Sequence, residues 1–150
     1  MMKVYRLERV QLLRTTVEEA WRFFSDPANL PLITPPSLGF RVTSPLPGRM
    51  YPGMLVTYTV TPFPPLRVVW VTEITHVSEP HYFVDEQRFG PYRLWHHEHH
   101  FRQAESGVEM ADTVTYALGF GLAGRMAAPF VAARLRQIFD FRHGVLSQMW

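Results

Sequence analysis

Tyr92-Arg93-Leu94-Trp95-His96-His97-Glu98-His99-His100-Phe101 holds four of the chain's seven histidines beside large aromatic residues. It is short and reads as a β-strand. A strand sends alternate side chains to opposite faces, so Trp95, His97, His99 and Phe101 share one face while Leu94, His96, Glu98 and His100 share the other. A face built only for packing carries Val, Ile or Leu. Buried imidazoles need hydrogen-bond partners, so the first face reads as the wall of a partly polar cavity.

Outward from this strand, the region from Leu38 to Tyr116 reads as strands and turns. Leu38–Thr43, Met54–Thr61, Leu66–Val77, Tyr82–Phe89, the histidine strand and Val108–Ala117 are separated by turns rich in Pro and Gly, such as Phe63-Pro64-Pro65 and Gly90-Pro91. Parallel pairing needs crossovers of about a dozen residues. These short connections therefore predict an antiparallel meander. Before it, Val4–Leu13 alternates as a first strand, and Thr16-Val-Glu-Glu19 reads as a capping box that starts a helix. Asp26-Pro27 ends that helix and caps a second, from Pro27 to about Ile33, which Pro35-Pro36 stops.

After the meander, Leu122–Trp150 reads as a long helix. Val131, Leu135, Ile138, Val145 and Met149, widened by Phe139 and Leu146, form its apolar stripe. Arg134, Arg136, Gln137, Asp140 and His143 fall largely opposite, so Arg134, Arg136 and Arg142 read as a solvated face and Asp140 as a partner for Arg136 or Arg142. Pro129 predicts either a helix start nearby or a kink. The whole, residues 1–150, is expected to be one α+β domain. Its curved antiparallel sheet of about seven strands, in the order β-α-α-β6-α, wraps around the C-terminal helix and leaves a gap between sheet and helix.

Composition excludes several chemistries. With no cysteine there are no disulfides, thiolate nucleophiles or cysteine-held metals. Net charge is +2 with pI ≈ 9.2, but the basic residues are dispersed, which argues against nucleic acid. No signal-like apolar segment or membrane-spanning run is visible, so a cytoplasmic location without stable membrane insertion is expected. The serines fall in loops or helix ends outside any nucleophile elbow, and Gly119-Phe-Gly-Leu-Ala-Gly124 lacks the setting of a phosphate loop. Oligomeric state is not encoded in any visible pattern.

Several motifs together resemble a known superfamily. They are Ala20-Trp-Arg-Phe-Phe-Ser-Asp-Pro-Ala-Asn-Leu30, Ile33-Thr-Pro-Pro36, Phe83-Val-Asp-Glu-Gln87, Gly90-Pro-Tyr92, Trp95-His-His-Glu-His99 and Ile138-Phe-Asp-Phe-Arg-His143. The chain resembles the START-like, helix-grip SRPBCC superfamily, which includes plant pollen allergens, lipid-transfer domains and bacterial polyketide aromatases/cyclases. It is most similar to bacterial members of no settled activity, some fused to sugar-epimerase-like cell-division proteins. The resemblance implies a cavity for a hydrophobic ligand and no cofactor.

If Trp95, His97 and His99 face inward, Val108, Met110, Asp112, Val114 and Tyr116 share the inner face of the hairpin partner. Asp112 then falls opposite His97 or His99, and Phe83, Asp85 and Gln87 face inward on the other side. A hydrogen-bonded polar network is the preferred reading of these groups, ahead of ligand contact and of general-base catalysis. The expected ligand is a lipid, polyketide or aromatic molecule. Its expected contacts are Tyr58, Trp70, Trp95, Phe101 and Tyr116, oriented by Asp85, Gln87, His97, His99 and Asp112. The alternative is an aromatase/cyclase- or dehydratase-like enzyme with His97, His99 and Asp112 as its proton-moving groups. A third reading, an interaction module, rests only on the family's fusions. Two histidines two apart could also supply metal ligands with Asp112 or Asp85, a disfavoured reading, and no metal is expected.

Overall fold

The computed structural model describes residues 1–150. Seven antiparallel strands form one sheet: β1 (Val4–Leu13), β2 (Arg41–Val42), β3 (Leu55–Phe63), β4 (Leu66–Ser78), β5 (Tyr82–Phe89), β6 (Leu94–Ala104) and β7 (Gly107–Ala117). Their spatial order is β1-β7-β6-β5-β4-β3-β2, so the chain's first strand pairs with its last and the others follow as a meander. The curved open sheet holds the helix α2 (Gly121–Met149), which is the helix-grip arrangement.

The short helix α1 (Val17–Phe24) forms for the reason its sequence gives. The Thr16 hydroxyl accepts from the Glu19 amide at 3.2 Å, while the Glu19 carboxylate turns to the neighbouring Thr15 hydroxyl. Asp26 accepts from the Ala28 amide at 3.0 Å and caps a 3-10 segment, Pro27–Ile33, whose prolines disfavour a regular α-helix. Through Val17, Ala20 and Trp21, α1 buries its apolar face; Trp21 meets Phe83 and Phe101 edge-on at 5.7 and 6.2 Å. The tight β6–β7 turn depends on Gly107 (φ 149°), where a Cβ would lie 2.1 Å from the Leu13 carbonyl oxygen.

Three expectations change. The strand read over Leu38–Thr43 shrinks to Arg41–Val42, because Pro36–Leu38 forms a 3-10 turn closed by Gly39 at φ 53°. The long helix does not start at Pro129. It begins at Gly121, behind Phe120 at φ 63°, and runs on through Pro129, where only one backbone donor is lost. Met149 leaves the apolar stripe and is exposed, while Leu135, Phe139 and Leu146 are buried. One apolar cluster gathers around Trp21, Phe101 and Leu146 and another around Trp95, Leu135 and Phe139.

Candidate functional site

Residues of both clusters line one cavity of about 310 Å³ between the sheet and α2. The strand registers bring acids and imidazoles together in its wall. Asp85 on β5 sits opposite His97 on β6, and Asp112 on β7 sits opposite His99. Each imidazole therefore has a carboxylate on both sides. His97 Nε2 lies 2.8 Å from Asp112 Oδ1 and its Nδ1 lies 3.4 Å from Asp85 Oδ2. His99 Nε2 lies 2.6 Å from Asp85 Oδ2, and its Nδ1 stands 3.3 Å from Asp112 Oδ1 without hydrogen-bonding geometry. The four side chains form a ring in which the imidazole centroids are 3.8 Å apart and their planes are tilted by 36°.

This packing sets the protonation states. Burial pushes His97 below the ordinary histidine value, and the adjoining His99 pushes it the same way; Asp85 and Asp112 oppose them without prevailing. Burial also opposes charge on His99, but its contacts to Asp112 and Asp85 outweigh that, and His99 is raised. Both carboxyls are opposed by burial yet held below the usual aspartate range by the two histidines. The imidazole pair thus favours its first proton on His99 and takes a second only against repulsion.

Aromatic side chains surround the ring. Phe83 stacks on His99 at 4.0 Å, and Phe139 of α2 meets His97 edge-on at 5.7 Å. Trp95 stands at right angles to Trp70, 5.2 Å away, and donates from Nε1 to Asp85 at 3.3 Å. Tyr58 also lines the cavity, its hydroxyl raised by burial and by the Asp85 charge. The helix adds Arg142, buried against the ring with Nη1 4.0 Å from Asp112 Oδ1 and its guanidinium 4.7 Å from the Phe139 centroid. Burial lowers Arg142 from its ordinary value, with Asp112 and Asp85 opposing, yet a guanidinium keeps its proton in proteins.

Of the ten residues expected to contact a ligand, Tyr58, Trp70, Asp85, Trp95, His97 and His99 line the cavity. The other four do not. Asp112 lies behind the imidazoles, and Phe101 packs on Trp21 and Phe24. Tyr116 stacks on Tyr5 at 5.4 Å. Gln87 turns to the β5–β6 hairpin, donating to the Tyr92 carbonyl at 2.7 Å and accepting from its amide at 3.0 Å. β5–β6 pairing stops at Glu86, so strict alternation does not carry Gln87 into the cavity.

The reading of the helix arginines is corrected. Arg142 is buried and Arg134 half-buried, and both line the cavity; only Arg136 stays on the exposed face. Asp140 pairs with Arg9 of β1 at 3.1 Å, not with Arg136 or Arg142. Asp85, His97 and His99 are the set that could hold a cation, their ligand atoms lying within 4.8 Å of one another. Arg142, 4.0 Å from Asp112, already brings positive charge beside this set.

A curved antiparallel sheet gripping a C-terminal helix around a polar-walled cavity defines the helix-grip class. The profile of the family described as "Polyketide cyclase / dehydrase and lipid transport" matches residues 13–141, and the chain belongs to that family within the SRPBCC superfamily. No sequence among curated proteins matches it. Among solved structures it is similar to protein Ms6760 from Mycobacterium smegmatis, with 21% identity, 97% of this chain and 92% of that one covered, and TM-score 0.66. TTHA0849 from Thermus thermophilus is similar at 15% identity, 97% and 95% coverage and TM-score 0.70. A norcoclaurine synthase point mutant from Thalictrum flavum, in complex with a transition state analogue, is similar at 12% identity, 99% and 98% coverage and TM-score 0.66. At these identities the likeness is one of fold.

Proposed function

We propose that this protein, in the cytoplasm, binds a hydrophobic or amphipathic ring-bearing small molecule, with the His97–Asp112–His99–Asp85 ring orienting it. The observation that carries this reading is the cavity itself, apolar and aromatic over most of its wall with convergent polar groups at one place. That is the general make-up of small-molecule sites. At about 310 Å³ the cavity lies at the small end of the range for such sites, which favours a compact polycyclic molecule over a long acyl chain. The family description, which joins cyclases and dehydrases with lipid transport, supports an apolar cargo or substrate.

The second reading is an aromatase/cyclase- or dehydratase-like enzyme. It is favoured by one specific observation: two cavity-wall imidazoles, each hydrogen-bonded to a carboxylate that can orient it for proton transfer. Native mass spectrometry of protein from its own host, followed by thermal shifts with lipids and polycyclic aromatics, tests binding. A retained or stabilising compact aromatic supports it; no bound species and flat shifts throughout overturn it. Conversion of that molecule, lost in His97→Gln with folding intact, would decide for the enzyme.

A further inference from the structure

The buried side-chain nitrogens that lack a hydrogen-bond partner are Trp70 Nε1, His99 Nδ1, Arg134 Nε and Arg142 Nε. All four residues line the same cavity. Native interiors pair nearly all such atoms, so their concentration around one space marks where acceptors belong. Indole and guanidinium nitrogens donate only, which leaves the missing partner to be acceptor-rich.

The charges point the same way. Arg142 is only 7% exposed, and its one ion-pair partner, Asp112 Oδ1, is at the long distance of 4.0 Å and already bonded to His97. The helix's ion pairs are Arg9–Asp140 and Arg142–Asp112; Arg134 takes part in neither. Arg142 is the cation beside Asp112, and Arg134, on the same helix, is a further positive charge on the cavity wall. A carboxylate offers two acceptor oxygens in the geometry a guanidinium fork receives, and such charge-assisted bonds are roughly twice as strong as neutral ones.

Resting on the cavity being a ligand site, we propose that its ligand is an organic carboxylate whose anion is received by Arg142, with Arg134 as the second cation and the ring system against Trp70 and Trp95. Arg134 and Arg142 are eight residues apart on α2, about 12 Å along its axis, so Arg142, beside the imidazoles, takes the anion and Arg134 biases the field of the cavity. The role of Asp112 is then to hold Arg142 and the histidines in place rather than to touch the ligand.

The test is isothermal titration calorimetry on the full chain with 2-naphthoate, its neutral isostere 2-naphthamide and the cation 2-naphthylmethylammonium. The expected result is that naphthoate binds tighter than naphthamide by about tenfold or more, the worth of a charged hydrogen bond, with the cation weakest. Arg142→Met should erase the preference while naphthamide still binds, and Arg134→Met should reduce it. Equal affinity for acid and amide, or tightest binding of the cation, overturns the carboxylate while leaving the apolar site standing. Binding of none of the three overturns the site and the carboxylate together. An unchanged preference in Arg142→Met and Arg134→Met overturns the assignment to these arginines. The wild-type comparison needs no variant to fold, and Arg142→Lys, which keeps the charge but loses the fork, replaces Arg142→Met if that variant does not.

Discussion

The two faces of β6 carry the same residue type in different surroundings. On the inner face, His97 and His99 have side chains 6% and 9% exposed and close a ring with the buried Asp112 and the half-buried Asp85. On the outer face, His96 and His100 are 30% and 48% exposed and meet Glu86 at 2.6 Å and Glu98 at 3.1 Å, in water's reach. One residue of displacement along the strand separates an imidazole whose charge is set by burial and neighbours from one that makes a screened surface pair. The contrast shows that histidine content says little by itself; the face of the strand decides the chemistry.

The comparison breaks most visibly at its acids. Asp112→Ala removes the hydrogen-bond partner of His97 and the carboxylate beside His99 and Arg142, and urea unfolding should show a loss of about 3–5 kcal/mol, as for a broken buried pair. Its outer-face counterpart, Glu98→Ala, should lose less than about 1 kcal/mol. Losses of similar size in the two variants would contradict the distinction.

Acid should separate the faces next. Asp85 and Asp112 are held below the ordinary aspartate value of 3.8, so their stabilisation is fully present above it and is lost as pH falls below it. Unfolding followed from pH 6 downward should therefore steepen below that value. Asp112→Asn should flatten the acid limb, and Glu98→Gln, whose exposed carboxyl is lowered chiefly by its bond to His100, should flatten it less.

A smaller and more local effect is expected in the imidazoles. By NMR titration His99 should hold its proton above the ordinary value of 6.5 and His97 should lose its proton below it. In linkage terms, His99 stabilises the fold below 6.5 and that contribution fades as pH rises through its folded value, whereas His97 weakens the fold as pH falls below 6.5. Replacing His99 by Gln should therefore bring His97's value up, since a like charge no longer competes. The smallest effect belongs outside: His96→Ala and His100→Ala should each change stability by no more than about 0.5 kcal/mol in thermal unfolding.

Much of this was legible in sequence because strands have period two. The alternation placed Trp95, His97, His99 and Phe101 inward, the hairpin placed Asp112 opposite one of the histidines, and the Thr16 and Asp26 caps located both short helices. What alternation could not supply was depth and depth-dependent neighbours. Phe101 and Tyr116 face inward, but other aromatics already cover them, and irregularities in β4–β5 pairing between Val71 and Thr72 and between Ile74 and His76 show where simple counting fails. Arg142 was misread for a different reason. Hydropathy assigns arginine to solvent, yet its guanidinium lies over the Phe139 ring and reaches toward a carboxylate on a distant strand. Only the helix's position over the sheet reveals that partnership.

The central claim is that the inner face of β6 meets a ligand and the outer face does not. It is tested most directly by side-chain NMR of all four histidines during titration with 2-naphthoate. The His97 and His99 resonances should move and saturate together while those of His96 and His100 stay in place. Movement of the outer pair alone, or binding detected by calorimetry with none of the imidazoles responding, would contradict it.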